Sequence, residues 1–141
     1  MSSRRKAREC ALQMLFQWDF GRNTPEIVQE LFWSNTRPAE DEALRSFANQ
    51  LFWGTVRNIE EIDHLIRAYT ERWSLERMPA VDRNILRLGI YELLHQPETP
   101  PAVAINEALE IARKFSGEEA VQLLNGILDR VRKEGISARP A

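Results

Sequence analysis

Four cations stand within residues 4–8: Arg4, Arg5, Lys6 and Arg8, with no acid among them. Lysine and arginine at this density are the groups that neutralise phosphates. Their setting sharpens the point. The run opens a helix, Arg4-Arg5-Lys6-Ala7-Arg8-Glu9-Cys10-Ala11-Leu12-Gln13, where each cation opposes the helix dipole at a cost of roughly a few tenths of a kcal/mol. The whole chain of 141 residues has 19 Lys and Arg against 21 Asp and Glu, a net charge of -2, so it has no general attraction for polyanions. The cations are concentrated instead. Charge runs are usually only solvated, yet four cations in an unfavourable place point to an anionic partner. Single-stranded RNA suits such a run better than duplex DNA, because no helix preceded by a turn resembles a groove-reading element.

The second signal is apolar residues that miss the core-facing stripe. In the first helix Ala7, Ala11, Met14, Leu15 and Trp18 form one stripe,. Phe16 and Phe20 project with Glu9 and Gln13 on roughly the opposite side,. Either a second helix covers that side or the aromatic rings meet a protein partner. In the last helix Val121, Leu124, Leu128 and Val131 make the stripe, and Leu123 lies off it, near Glu119, Gly126 and Arg130. Isolated exposed leucines are common. Beside Asn125 and the flat patch left by Gly126, Leu123 could also meet a base.

No enzyme site assembles from the sequence. His64 and His95 stand far apart in the chain, with no Cys at metal-ligand spacing from either,. There is no P-loop, no G-x-G-x-x-G and no G-x-S-x-G elbow,. Glu60-Glu61 and Glu118-Glu119 read as solvated helix faces. The expectation is a protein that is not an enzyme and holds no cofactor or metal. The one cysteine, Cys10, rules out an internal disulfide and suits a reducing interior, where it reads as a half-buried helix thiol,. No apolar stretch approaches about 20 residues, and the basic N-terminus is not followed by a secretory h-region. A cytoplasmic protein with no membrane contact is expected.

The elements that must position these residues are all helices, six to seven of them. Residues 3–20 form the first. Thr24-Pro25-Glu26 starts a second that runs to about Trp33, with a loop around Pro38,. Residues 41–73 form a long helical region bent near Gly54 to Asn58. Pro79 opens an unusually apolar helix over 80–95, read as the central buried one, in which Gly89 allows close helix contact. Helices over 102–116 and 118–134 follow. The fold expected is all-α, a single domain over 1–141 of two packed helical subdomains, about 1–76 and 77–135, with a flexible tail at 136–141.

Three ordered blocks carry a family resemblance: Arg4 to Phe16; Val81-Asp82-Arg83-Asn84-Ile85-Leu86-Arg87-Leu88-Gly89-Ile90-Tyr91-Glu92-Leu93; and Val103-Ala104-Ile105-Asn106-Glu107-Ala108 with Lys114-Phe115 and Asn125-Gly126-Ile127-Leu128-Asp129. Together, over about residues 4 to 132, the chain resembles the NusB family of bacterial transcription antitermination factors. The resemblance implies a NusB-like helical bundle that binds boxA RNA of nascent ribosomal RNA leaders and pairs with NusE, the small-subunit ribosomal protein. NusA, NusG and RNA polymerase would complete the assembly. By position, Arg4, Arg5, Lys6, Arg8, Tyr69, Glu119, Leu123 and Asn125 would contact or line the RNA. Phe16 and Asp82 would face the ribosomal protein, although a first-turn Asp is also simply good for its helix. Family members often carry an aromatic where this chain has Leu123, which puts base stacking there in doubt. Some members self-associate, so a homodimer stays open.

Two other readings compete with this one. A NusB-like domain also opens some ribosomal RNA cytosine methyltransferases, but these residues hold no glycine-rich cofactor loop. The chain could also be a protein-interaction module whose basic N-terminus is incidental.

Overall fold

The apolar run after Pro79 becomes the axis of the molecule. The computed structural model describes residues 3–21, 23–35, 41–70 and 75–135. Among these the order is α1 (Ser3–Phe20), α2 (Pro25–Asn35), α3 (Glu42–Arg57), α4 (Ile59–Tyr69), a 3-10 turn (Leu75–Arg77), α5 (Ala80–His95), α6 (Pro101–Phe115) and α7 (Glu118–Arg130), closed by a π turn (Val131–Gly135). No strand occurs among the described residues. α5 touches α1, α3, α4, α6 and α7, and every residue from Asn84 to Leu94 is buried. A helix covered on all sides is normally apolar throughout, so its charged residues must find partners, as described below.

Local chemistry sets the helix ends. The Thr24 hydroxyl accepts from the Ile27 amide at 3.3 Å, and Asp41 caps α3 by accepting from the amides of Ala43 and Leu44 at 2.9 and 3.3 Å,. The expected bend in the long region is a full break at Asn58. Its side-chain amide donates to the Gly54 carbonyl at 2.8 Å, and so satisfies one of the acceptors that the end of α3 leaves open,. Pro101 stands at the start of α6, one residue earlier than the spacing predicts,. The last helix is regular only to Arg130 and then widens into the π turn.

The two halves meet along α1, α3 and α5. Helices approach closely at two glycines, Gly89 of α5 against α7 and Gly54 of α3 against α5. At Gly89 an added Cβ would lie 3.1 Å from Leu128 Cδ2, the close helix approach the sequence implies. At Gly54 it would lie 2.1 Å from Cζ of Tyr91, so the tyrosine ring of α5 rests where α3 has no side chain. Cys10, expected half-buried, is buried, and burial pushes its thiol pKa up,. The loop around Pro38, the end of the long region at 71–73 and the tail at 136–141 lie outside the described residues.

Candidate nucleic-acid interface

The basic run divides by helical phase. Lys6 points outward on the face that also holds Gln13, Gln17 and Phe20,. Arg4 is exposed, its guanidinium 4.2 Å above the centre of the Phe47 ring of α3,. Arg5 is part-way out, with its side chain 36% exposed and its Nε and Nη2 donating to the two Glu107 oxygens at 2.9 and 2.7 Å. Arg8 faces inward.

Arg8, expected at the RNA with the other three, has a different place. It is 5% exposed. Its Nε and Nη2 donate to the Glu92 carboxylate of α5 at 2.7 and 2.9 Å, and Nη1 reaches Glu107 of α6 at 3.5 Å. The donors that would meet a phosphate are spent on the buried Glu92 and the partly buried Glu107, so Arg8 docks α1 onto α5 and α6. Glu92 and Glu107, which the sequence reading gave no role, therefore organise the run. A glutamate between two leucine-rich turns of α5 was the available signal for the first.

A second ionic cluster holds the far end of α1. Asp19 accepts from Arg83 Nε at 2.6 Å and from Asn84 at 3.0 Å, and Arg87 bridges Asp19 and Asp63 at 3.3 and 2.9 Å. Burial raises the Asp19 carboxyl pKa, but the Arg83 hydrogen bond, the Arg87 charge and the Asn84 hydrogen bond outweigh it and hold the group below its usual range,. The hydrogen bond from Arg5 does the same for Glu107, against partial burial and with help from the Arg5 and Arg8 charges.

Both carboxyls have native pKa values below their unfolded ones, so each stabilises the fold above the unfolded value, about 4. That contribution is lost as pH falls through the lower native values. Thermal melts from pH 6 to pH 2 should therefore show a fall in Tm beginning near pH 4. Asp19→Asn should start from a lower Tm at pH 6 and fall less steeply. An equally steep fall in Asp19→Asn would mean that other acids control the transition.

The partner-facing candidates also resolve. Phe16 is 36% and Phe20 77% exposed, and their rings stack with centroids 5.8 Å apart. No described helix covers them. Phe16 lines an apolar groove of about 260 Å³ with Leu12, Gln13, Gln17, Val81 and Phe115. Val81 and Phe115 were named in the sequence only as parts of longer blocks. Asp82 is buried, and its carboxylate accepts from the Ser116 hydroxyl at 2.6 Å, tying the start of α5 to the α6–α7 link. It sits next to the groove residue Val81, but its carboxylate is turned to Ser116 and not to solvent.

On α7, Glu119 and Asn125 are exposed, Gly126 has open space above it, and Leu123 packs half-buried against the core margin. Tyr69 at the end of α4 joins α7 through Arg130, whose guanidinium lies 4.6 Å from the ring centre. Arg130 follows Leu123 by seven residues, about 10 Å along the helix, so the Tyr69–Arg130 pair sits toward one end of that surface. Among the described residues no group of His, Cys, Asp and Glu side chains is arranged to hold a metal ion, and no helix is long and apolar enough to cross a membrane.

Comparison with known proteins gives a consistent answer. The NusB family model matches residues 5–133. The chain is 52% identical over 132 residues to the transcription antitermination protein NusB of Koribacter versatilis, covering 94% of this chain and 90% of that protein. The structure of T. maritima NusB superposes with a TM-score of 0.84 at 39% identity, over 93% of this chain and 91% of that one. A crystal structure of the antitermination factors NusB and NusE in complex with dsRNA superposes with a TM-score of 0.85 at 28% identity, over 94% and 98% of the two chains.

Proposed function

The chain belongs to the NusB family, and from that premise we propose that it is a transcription antitermination factor. It acts as a non-catalytic, cytoplasmic RNA-binding adaptor. With the ribosomal protein NusE it binds boxA RNA of nascent ribosomal RNA transcripts. NusA, NusG and RNA polymerase complete the assembly that reads through terminators. The observation that carries the reading is the division of labour along α1. Outward cations stand at one end and an open aromatic groove at the other. Lys6 and Phe16 are ten residues apart, about 15 Å along the helix.

That spacing lets one rigid helix hold RNA and a protein partner side by side. Each surface alone is small. When the partner brings its own RNA contacts, the second binding event becomes intramolecular and the affinities reinforce one another. Arg4, Arg5 and Lys6 supply the phosphate contacts, with Tyr69, Glu119, Leu123 and Asn125 along the RNA path. Phe16, Val81 and Phe115 receive the partner, with Asp82 fixing the groove from beneath. A NusB–NusE–dsRNA complex among the structural neighbours supports both kinds of partner.

The test separates the two surfaces. Arg4→Glu combined with Lys6→Glu should weaken binding to a boxA-type single-stranded RNA by more than about tenfold while NusE binding is retained. Phe16→Asp should do the reverse. Arg5 is left native, because an acid there would face Glu107. Undiminished RNA binding by the charge-reversed chain, in fluorescence anisotropy at fixed salt, would sink the assignment of the run and favour a module that binds protein alone.

A further inference from the structure

Glu92, Arg8, Glu107 and Arg5 form one row of alternating charge that starts in the core and ends at the surface. Glu92 is enclosed and holds Arg8 by two hydrogen bonds. Arg8 reaches Glu107 with its remaining terminal nitrogen. Glu107 grips Arg5 along the Nε–Nη2 edge of the guanidinium. A guanidinium has five donors. Glu107 engages one edge, and Nη1 of Arg5 donates no hydrogen bond to the described residues. Each member of the row neutralises the one before it, and the next place outward is solvent.

We propose that Glu107 is a positioning residue for RNA, fixing Arg5 so that its free guanidinium edge meets a backbone phosphate. The inference rests on the RNA-binding reading above and deepens it. Glu107 touches no RNA in this account. It removes rotamer freedom from a long side chain before binding, a cost that binding would otherwise meet. The row as a whole is neutral, two acids against two arginines, and what draws a phosphate is that the positive member, Arg5, stands outermost. An anion bound at the outer edge continues the alternation and gains the geometry that planar guanidinium groups offer phosphates. The arrangement also ranks the run. Lys6 is a mobile point charge, Arg5 a fixed fork, and Arg8 the anchor that keeps Glu107 in place.

The experiment is a double-mutant cycle on Glu107 and Arg5, read as affinity for a boxA-type single-stranded RNA across a salt series. A scrambled RNA and NusE binding serve as controls. Glu107→Ala should weaken RNA binding about fivefold, the order expected for ordering one long side chain, and should leave NusE binding unchanged. In an Arg5→Gln chain the same change should have no further effect. Arg5→Gln should lower the slope of log affinity against log salt by about 0.7, the share of one phosphate contact on a single strand, whereas Glu107→Ala should keep the native slope. Glu107→Gln preserves the shape and one acceptor, so it should recover part of the loss. It carries the test if the alanine variant does not fold. Tighter RNA binding by either Glu107 variant would overturn the proposal, because the carboxylate would then compete with phosphate. An equal loss in the Arg5→Gln background would overturn it too. Equal binding of boxA-type and scrambled RNA by the native chain would instead defeat the functional reading beneath it.

Discussion

Replacing Arg8 with methionine should destabilise the protein by about 3–5 kcal/mol, the usual cost of removing one partner from a buried ion pair. The packing loss is small, because methionine keeps most of the length and the apolar stem. The penalty comes from Glu92, which is enclosed on α5 and receives two hydrogen bonds from Arg8. Without them a carboxylate stays in a site that water does not reach, or it takes up a proton to become neutral. The control is to remove both charges. An Arg8→Met, Glu92→Met chain should regain most of the lost stability, since apolar residues of similar volume often replace a buried pair at little cost. Urea unfolding at pH 7 measures both. A loss below about 1 kcal/mol in the single variant would show that the pair behaves as an exposed one. The result also bears on function, because weaker RNA binding by an Arg8 variant must first be corrected for its unfolded fraction.

Gly54→Ala should destabilise by about 2 kcal/mol, although glycine to alanine in a helix interior ordinarily gains about 1 kcal/mol. The sign reverses because of Tyr91. The new methyl would stand 2.1 Å from its Cζ and 2.2 Å from its hydroxyl oxygen, far inside van der Waals contact. The ring is buried and its hydroxyl accepts from Gln96 Nε2 at 3.2 Å, so moving it sacrifices packing and a hydrogen bond together. Overpacking of this kind typically costs 1–3 kcal/mol or somewhat more. In a Tyr91→Leu chain, which vacates that space, the same substitution should become neutral or stabilising. Such a change of sign measures the coupling directly. A Gly54→Ala protein as stable as the native chain would mean that the ring yields easily and that the two halves are not pinned there.

The helices were legible because they are written in local patterns. The stripe on α1, the proline and glycine punctuation and the apolar run of α5 all carry the period of a helix, and the structure places helices there. The expected bend at Gly54 to Asn58 was legible as a place but not as a break, because the Asn58 side chain ends α3 through a hydrogen bond to a carbonyl. The destinations of the charges were harder to read. Arg8 meets Glu92 across 84 residues of sequence and Arg5 meets Glu107 across 102, pairings that only tertiary packing creates. One clue was present. Arg8 precedes Leu12 by four residues and Leu15 by seven, the phase of the buried face, so its position in the helix told more than its membership of a basic run. Phe16 shows the opposite case. Its phase on α1 pointed away from the core, and the structure leaves it open to solvent.

The anchoring of α1 on α5 also has a consequence in time. Arg8 and Asp19 find their partners in residues 83–92, which a ribosome adds long after α1. At roughly 5–20 residues per second the 75 residues between the ends of α1 and α5 take about 4–15 s to make. Throughout that interval the apolar stripe of α1 can already pack on α3, but Arg8 and Asp19 stand on a helix whose buried charge partners do not yet exist. The order of synthesis thus lets the apolar contacts of α1 form first and leaves its buried charges to be satisfied last, when α5 arrives.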